Sequence, residues 1–242
     1  MSLKIENIDK SYNGKTVFSR FGMEIPDGVI SCILGPSGCG KTTLLNILCG
    51  LTTPDGGITK GFEGKKFSYI FQDPRLLPWK TVIENIEFVL DDVDVTNGKK
   101  ITAAQKRDTA EKLIQKVKLQ EYAGYYPSQL SGGMKQRVSI ARAFACHSDI
   151  ILMDEPLNGL DISLKQSMMK WFSQLWKEDK RTVVFVTHDV DEALMLGNDI
   201  FVLSKSPTQI IMHQIIAGSN TERDAENPQI TSLRKEIQKM IL

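Results

Sequence analysis

The sequence predicts an α/β fold in which a mostly parallel sheet is covered on both faces. The first observation is a set of four apolar runs without polar alternation, which are typical of fully buried strands. They cover residues 29–34, 149–153, 182–187 and 199–203. The second is the helical periodicity between the last three runs, which gives the βαβ rhythm of a parallel sheet. The third is a glycine-rich loop that joins the first run to a predicted helix over 41–49, closed by Gly50.

The remaining segments are predicted to add two smaller parts and a tail. Residues 1–30 contain extended stretches around the turn Asn13-Gly14, which predicts an N-terminal antiparallel β subdomain. Residues 73–147 are polar and helical, with an amphipathic run over 103–119, and indicate an inserted α-helical subdomain. We therefore expect a single domain with these parts: an α/β core with the antiparallel subdomain over 1–72 and 148–218, the helical insertion over 73–147, and a tail over 219–242 with a helix over 230–242.

Composition and charge exclude several classes of protein. With 41% hydrophobic and 24% charged residues in 242, the chain is expected to be globular rather than disordered. Its net charge of +1 gives no basic field, so no nucleic-acid partner is expected. The 4 cysteines have no CxxC spacing and are expected to be reduced thiols in a cytosolic protein. Neither a signal-peptide pattern nor the ~20 apolar residues of a membrane span is found, so membrane association is expected to require another chain.

The glycine-rich loop matches the phosphate-binding pattern GxxxxGK[ST]. Its residues are Gly35, Pro36, Ser37, Gly38, Cys39, Gly40, Lys41, Thr42 and Thr43. Glycines allow successive backbone N–H groups to turn toward phosphate oxygens, and the following helix N-terminus adds partial positive charge. Lys41 is expected to reach the β- and γ-phosphates, and the Thr42 hydroxyl to ligate Mg²⁺. The same helix N-terminus predicts a lowered thiol pKa for Cys39, with inactivation by alkylation.

Two acidic residues, Asp154 and Glu155, follow the apolar run over 149–153. Carboxylates at the end of a buried strand are costly to desolvate unless a cation or substrate compensates them. Beside a phosphate loop, Asp154 is expected to hold Mg²⁺ through water, and Glu155 to orient or deprotonate the attacking water. The alternative is a solvated strand end. A kinase is disfavoured because its nucleophile comes from the substrate, so the pair favours hydrolysis.

His188 follows the run over 182–187 and lies at the same carboxyl edge of the predicted sheet. Ligands bind at this edge in open α/β folds. From position alone, a functional role and an ordinary surface role are equally supported. His147 and His213 have no such context and are expected to be plain surface residues.

A second glycine-rich turn, Ser131-Gly132-Gly133, begins another predicted helix. One interpretation is that Ser131 caps the helix and nothing more. However, Ser131 alone would suffice as a cap, and two glycines weaken an ordinary helix start. The turn is therefore a second candidate anion-binding helix N-terminus in the same chain.

These residues, taken together, resemble the motifs of ATP-binding-cassette (ABC) ATPases over about residues 2–215. Residues 130–136 resemble the signature sequence of that family, and Asn158 to Asp161 resemble its D-loop, although Asn158 stands where a small residue is usual. Tyr12 is similar to the residue that stacks on adenine, Gln72 to the Q-loop glutamine and His188 to the switch histidine. Thr42 replaces the more frequent Ser, and either hydroxyl can ligate Mg²⁺.

The resemblance implies ATP and Mg²⁺ as cofactors and two copies arranged head to tail. ATP would lie between the phosphate loop of one copy and the signature turn of the other. The implied roles are catalysis by Glu155, His188 and Gln72; metal binding by Thr42, Gln72 and Asp154; and nucleotide binding by Tyr12, the phosphate loop, Ser131, Gly132, Gly133, Gln136 and Asp161.

Residues 75–85 and 222–228 resemble the nitrate/sulfonate/taurine branch of bacterial ABC importers. This implies an ATPase on the cytoplasmic face of the cell membrane, bound peripherally to permease subunits and served indirectly by a solute-binding protein. Two alternatives are a non-transport ABC ATPase, for DNA maintenance or translation, and a nucleotide-binding module that does not hydrolyse ATP. The chain lacks the long coiled coil or second cassette of the former, and Glu155 and His188 argue against the latter.

Overall fold

The computed structural model describes residues 3–90 and 101–241. The strands of this part of the chain are β1 (Leu3–Tyr12), β2 (Lys15–Ile25), β3 (Ile30–Leu34), β4 (Gly56–Lys60), β5 (Phe67–Ile70), β6 (Ile150–Asp154), β7 (Thr182–Thr187), β8 (Asp199–Leu203) and β9 (Ile210–Ile215). The α-helices are α1 (Lys41–Leu48), α2 (Val82–Leu90), α3 (Ala103–Lys116), α4 (Gly132–Ala145), α5 (Ile162–Glu178), α6 (Val190–Leu196) and α7 (Pro228–Ile241). The predicted α/β fold class is confirmed.

A six-stranded sheet in the order β5-β6-β7-β3-β8-β9 forms the core. Neighbouring strands are parallel except for β9, which pairs antiparallel with β8. Along β3, Ile30, Cys32 and Leu34 pack with α5 and α6 on one face, whereas Ile33 packs with α1 on the other. Because both faces are buried, the central strands lack polar alternation, as the sequence predicted. The sequence did not indicate β5 or β9, because β5 has four residues and β9 is half exposed.

The N-terminal antiparallel subdomain is a sheet in the order β2-β1-β4. Its hairpin turns at Asn13 and Gly14, whose φ angles of 48° and 79° suit a two-residue turn with both residues left-handed. Strand β4 was not predicted, because its sequence contains two glycines and a single large apolar residue, Ile58. This sheet packs with α1 against the second face of the core sheet, and so places residues 17–18 beside the glycine-rich loop.

The helical insertion contains α2, α3 and α4, which share a hydrophobic cluster separate from those of the sheet. Val82, Ile86, Ala110, Val138 and Ala141 are its most buried members. Helix α3 begins at a capping box formed by Thr102 and Gln105 and falls within the predicted amphipathic run. The tail helix α7 begins at Pro228, two residues before the predicted start, because proline suits the first helical turn. Leu242, at the predicted end, lies outside the described residues.

No helix among the described residues is both long and apolar enough to span a bilayer.

His213 is more than the plain surface residue that its sequence context suggested. Its ring stacks on Phe201 with a centroid distance of 4.3 Å, and its Nε2 contacts a carboxylate oxygen of Asp199. The Asp199 side chain is only 4% exposed, and its other oxygen has no hydrogen-bond partner among the described residues. His213 therefore compensates a buried carboxylate at the edge of the core sheet.

Replacing His213 by alanine is expected to lower the free energy of unfolding by about 1–3 kcal/mol, because the buried Asp199 carboxylate loses its partner. Urea unfolding at pH 7 measures this loss. His147→Ala removes an exposed histidine and is the matched control, expected to stay within about 0.5 kcal/mol of the parent. Equal stability of the two variants would show that the Asp199 contact contributes nothing.

Candidate active site

The site is built where three parallel strands end side by side. Gly35 follows β3, Glu155 follows β6 and His188 follows β7. The backbone N–H of Gly35 donates to the carbonyl of Thr187 at 3.4 Å, and that of Glu155 donates to the carbonyl of Val186 at 3.0 Å. The carboxyl edge of the sheet therefore brings the phosphate loop, the acidic pair and His188 together, as expected for an open α/β sheet.

The phosphate loop depends on glycine where it enters α1. Gly40 has φ of 102°, and a Cβ there would lie 2.5 Å from Cγ1 of Val17 and 3.1 Å from the Phe18 ring. Backbone conformation and space thus both exclude a larger residue. The first helical hydrogen bond is donated by Leu44 to the Gly40 carbonyl at 2.8 Å. The N–H groups of the first turn are therefore left for an anion at the helix N-terminus.

Lys41 is a buried cation at the centre of the site, with 5% of its side chain exposed. Its Nζ donates to the carbonyl oxygens of Gly35 at 2.9 Å and Pro36 at 3.1 Å. It also lies 3.5 Å from Oε1 of Glu155. The ammonium is thus held at the mouth of the loop, next to Glu155, one of the two acids predicted beside the phosphate loop.

Asp154 and Thr42 face each other across the site. The Thr42 hydroxyl donates to Oδ1 of Asp154 at 3.1 Å, and the Tyr69 hydroxyl donates to Oδ2 at 3.4 Å. Burial raises the pKa of Asp154, and the charge of Glu155 acts in the same direction, against the hydrogen bonds from Thr42 and Tyr69 and the charge of Lys41. A divalent cation would offset this unfavourable negative charge.

A hydroxyl and a carboxylate in contact suit Mg²⁺, which prefers oxygen ligands and keeps several of its waters. No cluster of three or more His, Cys, Asp or Glu side chains able to hold a metal occurs in residues 3–90 and 101–241. Thr42 and Asp154 would therefore supply only part of a coordination shell for such an ion.

Glu155 accepts contacts at both carboxylate oxygens. Its Oε2 lies 3.0 Å from Nδ1 of His188 and 3.2 Å from Nδ2 of Asn158, while Oε1 faces Lys41. Its side chain is 17% exposed. The backbone of Glu155 has φ of 44°, a left-handed conformation that costs a residue with a side chain about 1–3 kcal/mol. Such strain is typical of functional sites, where the surrounding structure enforces it.

The two residues that flank His188, Thr187 and Asp189, are held by a network that sequence reasoning missed. The Thr187 hydroxyl donates to the nearly buried Glu192 at 2.6 Å, and Lys165 on α5 contacts Asp189 at 2.9 Å and Glu192 at 2.8 Å. Burial works to raise the pKa of Asp189, but the hydrogen bond and charge of Lys165, together with the backbone N–H groups of Glu192 and Asp191, hold the pKa below its ordinary value. Asp189 also caps α6, a role that its position before a helix could have revealed.

The second glycine-rich turn lies at the start of α4. Ser131 caps the helix, since its Oγ accepts from the N–H of Met134 at 3.3 Å. Gly133 packs against α5, where a Cβ would lie 2.6 Å from Cδ2 of Leu164. Ser131 and Gly132 are exposed, and no hydrogen bond or ion pair joins them to Lys41 or Glu155 in the described part of the chain. The turn is therefore exposed at these two residues and, within the described residues, is not joined to its own chain's Lys41 or Glu155.

No hydrogen bond or ion pair in the described part of the chain joins the other predicted site residues to this centre. Tyr12 is 45% exposed at the end of β1, and Gln72 is exposed just after β5. Asp161 caps α5 by accepting from the N–H of Leu164 at 2.9 Å. Gln136 is 3% exposed inside α4, and its Nε2 has no partner among the described residues. The sequence therefore did not indicate that Asp161 is a helix cap or that Gln136 is buried.

The expectation of a reactive Cys39 is wrong. Burial raises the pKa of the Cys39 thiol, and the opposing charge of Lys41 does not overcome it. The residue is 1% exposed, and its Sγ lies 2.9 Å from where a Cβ on Gly35 would stand. Burial of the thiol outweighs both the charge and the backbone N–H of Lys41 at the helix N-terminus, so neither ionisation nor alkylation is favoured.

Comparison with known proteins agrees with this geometry. The family model described as ABC transporter matches residues 18–158. The aliphatic sulfonates import ATP-binding protein of Pseudomonas syringae is 37% identical over 97% of this chain and 92% of its own. The taurine import ATP-binding protein of Yersinia pestis is 34% identical over 86% of this chain and 82% of its own. A dimeric post-hydrolysis structure of an ATP-binding cassette bound to ADP and Pi has a TM-score of 0.76 at 30% identity, covering 89% of this chain and 99% of that one.

Proposed function

Because the chain belongs to the ABC transporter family of ATPases, we propose that it is the ATP-hydrolysing subunit of a bacterial importer that acts through a separate permease. The observation that carries the proposal is the convergence of Lys41, Thr42, Asp154, Glu155 and His188 at one edge of the sheet. The import proteins among its relatives support the direction of transport.

Hydrolysis divides among these residues by their chemistry. Lys41 and the N–H groups at the start of α1 bind the β- and γ-phosphates. Thr42 and Asp154, with Gln72, hold Mg²⁺, which neutralises charge on the phosphate oxygens when bound. Glu155 orients the attacking water and accepts its proton, with His188 within 3.0 Å of its carboxylate. Tyr12 stacks on adenine from the end of β1.

The working unit of the proposal is a head-to-tail pair. The Ser131-Gly132 turn is exposed and has no hydrogen bond to its own phosphate loop among the described residues, and its N–H groups are proposed to complete the site of a second copy. Asp161 caps α5, whose first turn approaches the glycine turn through the contact of Leu164 with Gly133. Gln136 is buried inside α4, so its proposed effect on nucleotide binding is indirect and passes through the turn. A cassette of the same fold that binds ADP and Pi is dimeric.

The helical insertion carries the surface proposed to contact the permease. Trp79 is 70% exposed, Phe88 48% and Tyr125 41%. Lys80 lies over the Phe88 ring at 5.8 Å, and the N–H of Val82 donates to the Tyr125 carbonyl at 2.9 Å, so the segments that carry these aromatic residues are neighbours. Exposed aromatic clusters mark binding surfaces. Gln72, between β5 and this surface, links the nucleotide site to it.

The loop that presents Trp79 is braced from inside by Asn85. The Asn85 amide accepts from the N–H of Leu77 at 2.8 Å and donates to the carbonyls of Leu77 and Lys80 at 3.2 and 3.0 Å. Asn85 is completely buried. The loop is therefore preorganised, which lowers the entropic cost of docking.

The experiment that tests the proposal is reconstitution of the chain in liposomes with a permease and solute-binding protein encoded beside it. ATP-dependent uptake of a sulfonate or taurine, absent without the chain, is expected. ATP hydrolysis by the purified chain without stimulation by any such permease would contradict the importer assignment and leave the ATPase assignment in place.

In the same assay, Trp79→Ala is expected to reduce uptake at least about tenfold, because truncating an interface tryptophan commonly costs 2 kcal/mol or more. Hydrolysis by the isolated chain should stay within about twofold of the parent, since Trp79 lies outside the nucleotide site. Ile215→Ala removes an equally exposed apolar residue from β9 and is the control, expected to transport normally. Equal uptake by the two variants would exclude Trp79 from the permease contact.

A further inference from the structure

Asn158 contacts the proposed catalytic glutamate through both its side chain and its backbone. Its Nδ2 donates to Oε2 of Glu155 at 3.2 Å, and its N–H donates to the Glu155 carbonyl at 3.1 Å. The second bond closes a turn over residues 155–158, in which Leu157 is 2% exposed and anchors the turn in the core. The Asn158 amide is thereby fixed at hydrogen-bonding distance from the carboxylate.

The three donors around the Glu155 carboxylate have different proposed roles in the reaction. Lys41, at 3.5 Å from Oε1, is needed by the phosphates of bound ATP. His188, at 3.0 Å from Oε2, has a proposed catalytic role of its own. The amide of Asn158 is neutral, belongs to the same turn as Glu155 and has no proposed role in phosphate binding. It is therefore the donor best able to hold the carboxylate while the other two engage substrate.

We propose that Asn158 is a positioning residue whose amide fixes the orientation of the Glu155 carboxylate, so that its other oxygen faces the attacking water. The inference rests on the proposed role of Glu155. The left-handed backbone of Glu155, with φ of 44°, makes such a restraint necessary, because neither oxygen is aimed by an ordinary strand or helix conformation. A side chain that both donates a hydrogen bond and carries no charge is required, which an asparagine satisfies.

The residue type makes the proposal distinguishable from a turn-forming role. Aspartate and asparagine both favour turns, so a merely structural role predicts that Asn158→Asp is well tolerated and Asn158→Ala is the poorer variant. In the positioning role the order reverses. Aspartate at pH 7 has no proton to donate and places a second negative charge beside Oε2 of Glu155, so Asn158→Asp should be the more damaging change.

The test is steady-state MgATP hydrolysis by the full chain. Asn158→Ala is expected to lower kcat about tenfold, the fold-change that corresponds to one lost hydrogen bond in the transition state, with KM within about twofold. Asn158→Asp should lower kcat further, with the same KM. Gln166→Ala, which removes an exposed amide from α5, is the matched control and should keep the parental kcat. Thermal melting of each variant checks that all are folded.

A double variant separates this inference from the proposed function. In the Glu155→Gln background, Asn158→Ala is expected to cause no further loss of the residual turnover, because the group it positions is gone. Two outcomes would overturn the inference while the proposed function stands, provided that Glu155→Gln loses turnover. One is an Asn158→Ala variant with the parental kcat, and the other is a kcat of Asn158→Asp that is higher than that of Asn158→Ala. Independent, multiplicative losses would also overturn it. If Glu155→Gln keeps the parental turnover, the proposed function fails and the inference with it.

Discussion

Glu155→Gln is expected to bind MgATP with nearly parental affinity and to hydrolyse it at least about a hundredfold more slowly. Removing a general base typically costs 10²–10⁴ in rate, and the substitution keeps the size of the side chain while removing its basicity. The glutamine can still contact His188 and Asn158, so the local structure should survive. Phosphate release gives kcat, and fluorescent-nucleotide titration gives the dissociation constant.

The same variant tests the pairing of two copies. If ATP joins the two copies and hydrolysis releases them, a chain that binds without turnover should accumulate as a dimer with MgATP. Light scattering with size exclusion measures this mass. Glu226→Gln, an exposed glutamate in the tail, is the control and should hydrolyse ATP normally and remain in its parental oligomeric state. A monomeric Glu155→Gln chain that still turned over at the parental rate would contradict both the catalytic role and the pairing.

Sequence reasoning placed the central strands well because burial on both faces leaves a direct trace in the sequence. The runs at 182–187 and 199–203 coincide with β7 and β8. Strand β5 and strand β4 leave no such trace. Strand β5 is four residues long, and β4 is specified by its partner β1 rather than by its own composition. Pairing with a distant strand is tertiary information that a local pattern does not contain.

The same limit applies inside the site. The sequence could associate Lys41 with phosphate and Glu155 with water, since each belongs to a local motif. It could not show that Lys41 lies 3.5 Å from Glu155, or that Lys165 on α5 contacts Asp189, the residue after His188. These contacts join segments far apart along the chain. The Cys39 prediction failed for a related reason: proximity to a helix N-terminus was visible, but the burial of the side chain was not.

One consequence of the geometry is that charge in the site is balanced only in part by the chain itself. Asp154 and Glu155 face the buried ammonium of Lys41, and burial already raises the pKa of Asp154. A nucleotide adds further negative charge, so Lys41 and the cation that we propose for Thr42 and Asp154 would act together. Nucleotide affinity is therefore expected to be sensitive above all to Lys41.

Lys41→Ala is expected to weaken ATP binding by about tenfold to a hundredfold, because a charge-assisted hydrogen bond to phosphate contributes roughly 1.5–3 kcal/mol. Hydrolysis should fall with it. The substitution also leaves the carbonyls of Gly35 and Pro36 without their buried donor, so Lys41→Met, which keeps most of the apolar stem, is measured beside it. Calorimetric titration with MgATP gives the affinity, and circular dichroism shows whether each variant is folded.

Lys239→Ala supplies the comparison, because it removes an exposed lysine from α7 at a distance from the loop and should bind ATP normally. The two Lys41 variants differ in packing but share the loss of the ammonium. If affinity falls equally in both, the charge is responsible; if only Lys41→Ala weakens binding, the stem and the shape of the loop are. Parental affinity in both folded variants would remove Lys41 from the phosphate site and would count against assigning residues 35–43 to phosphate binding at all.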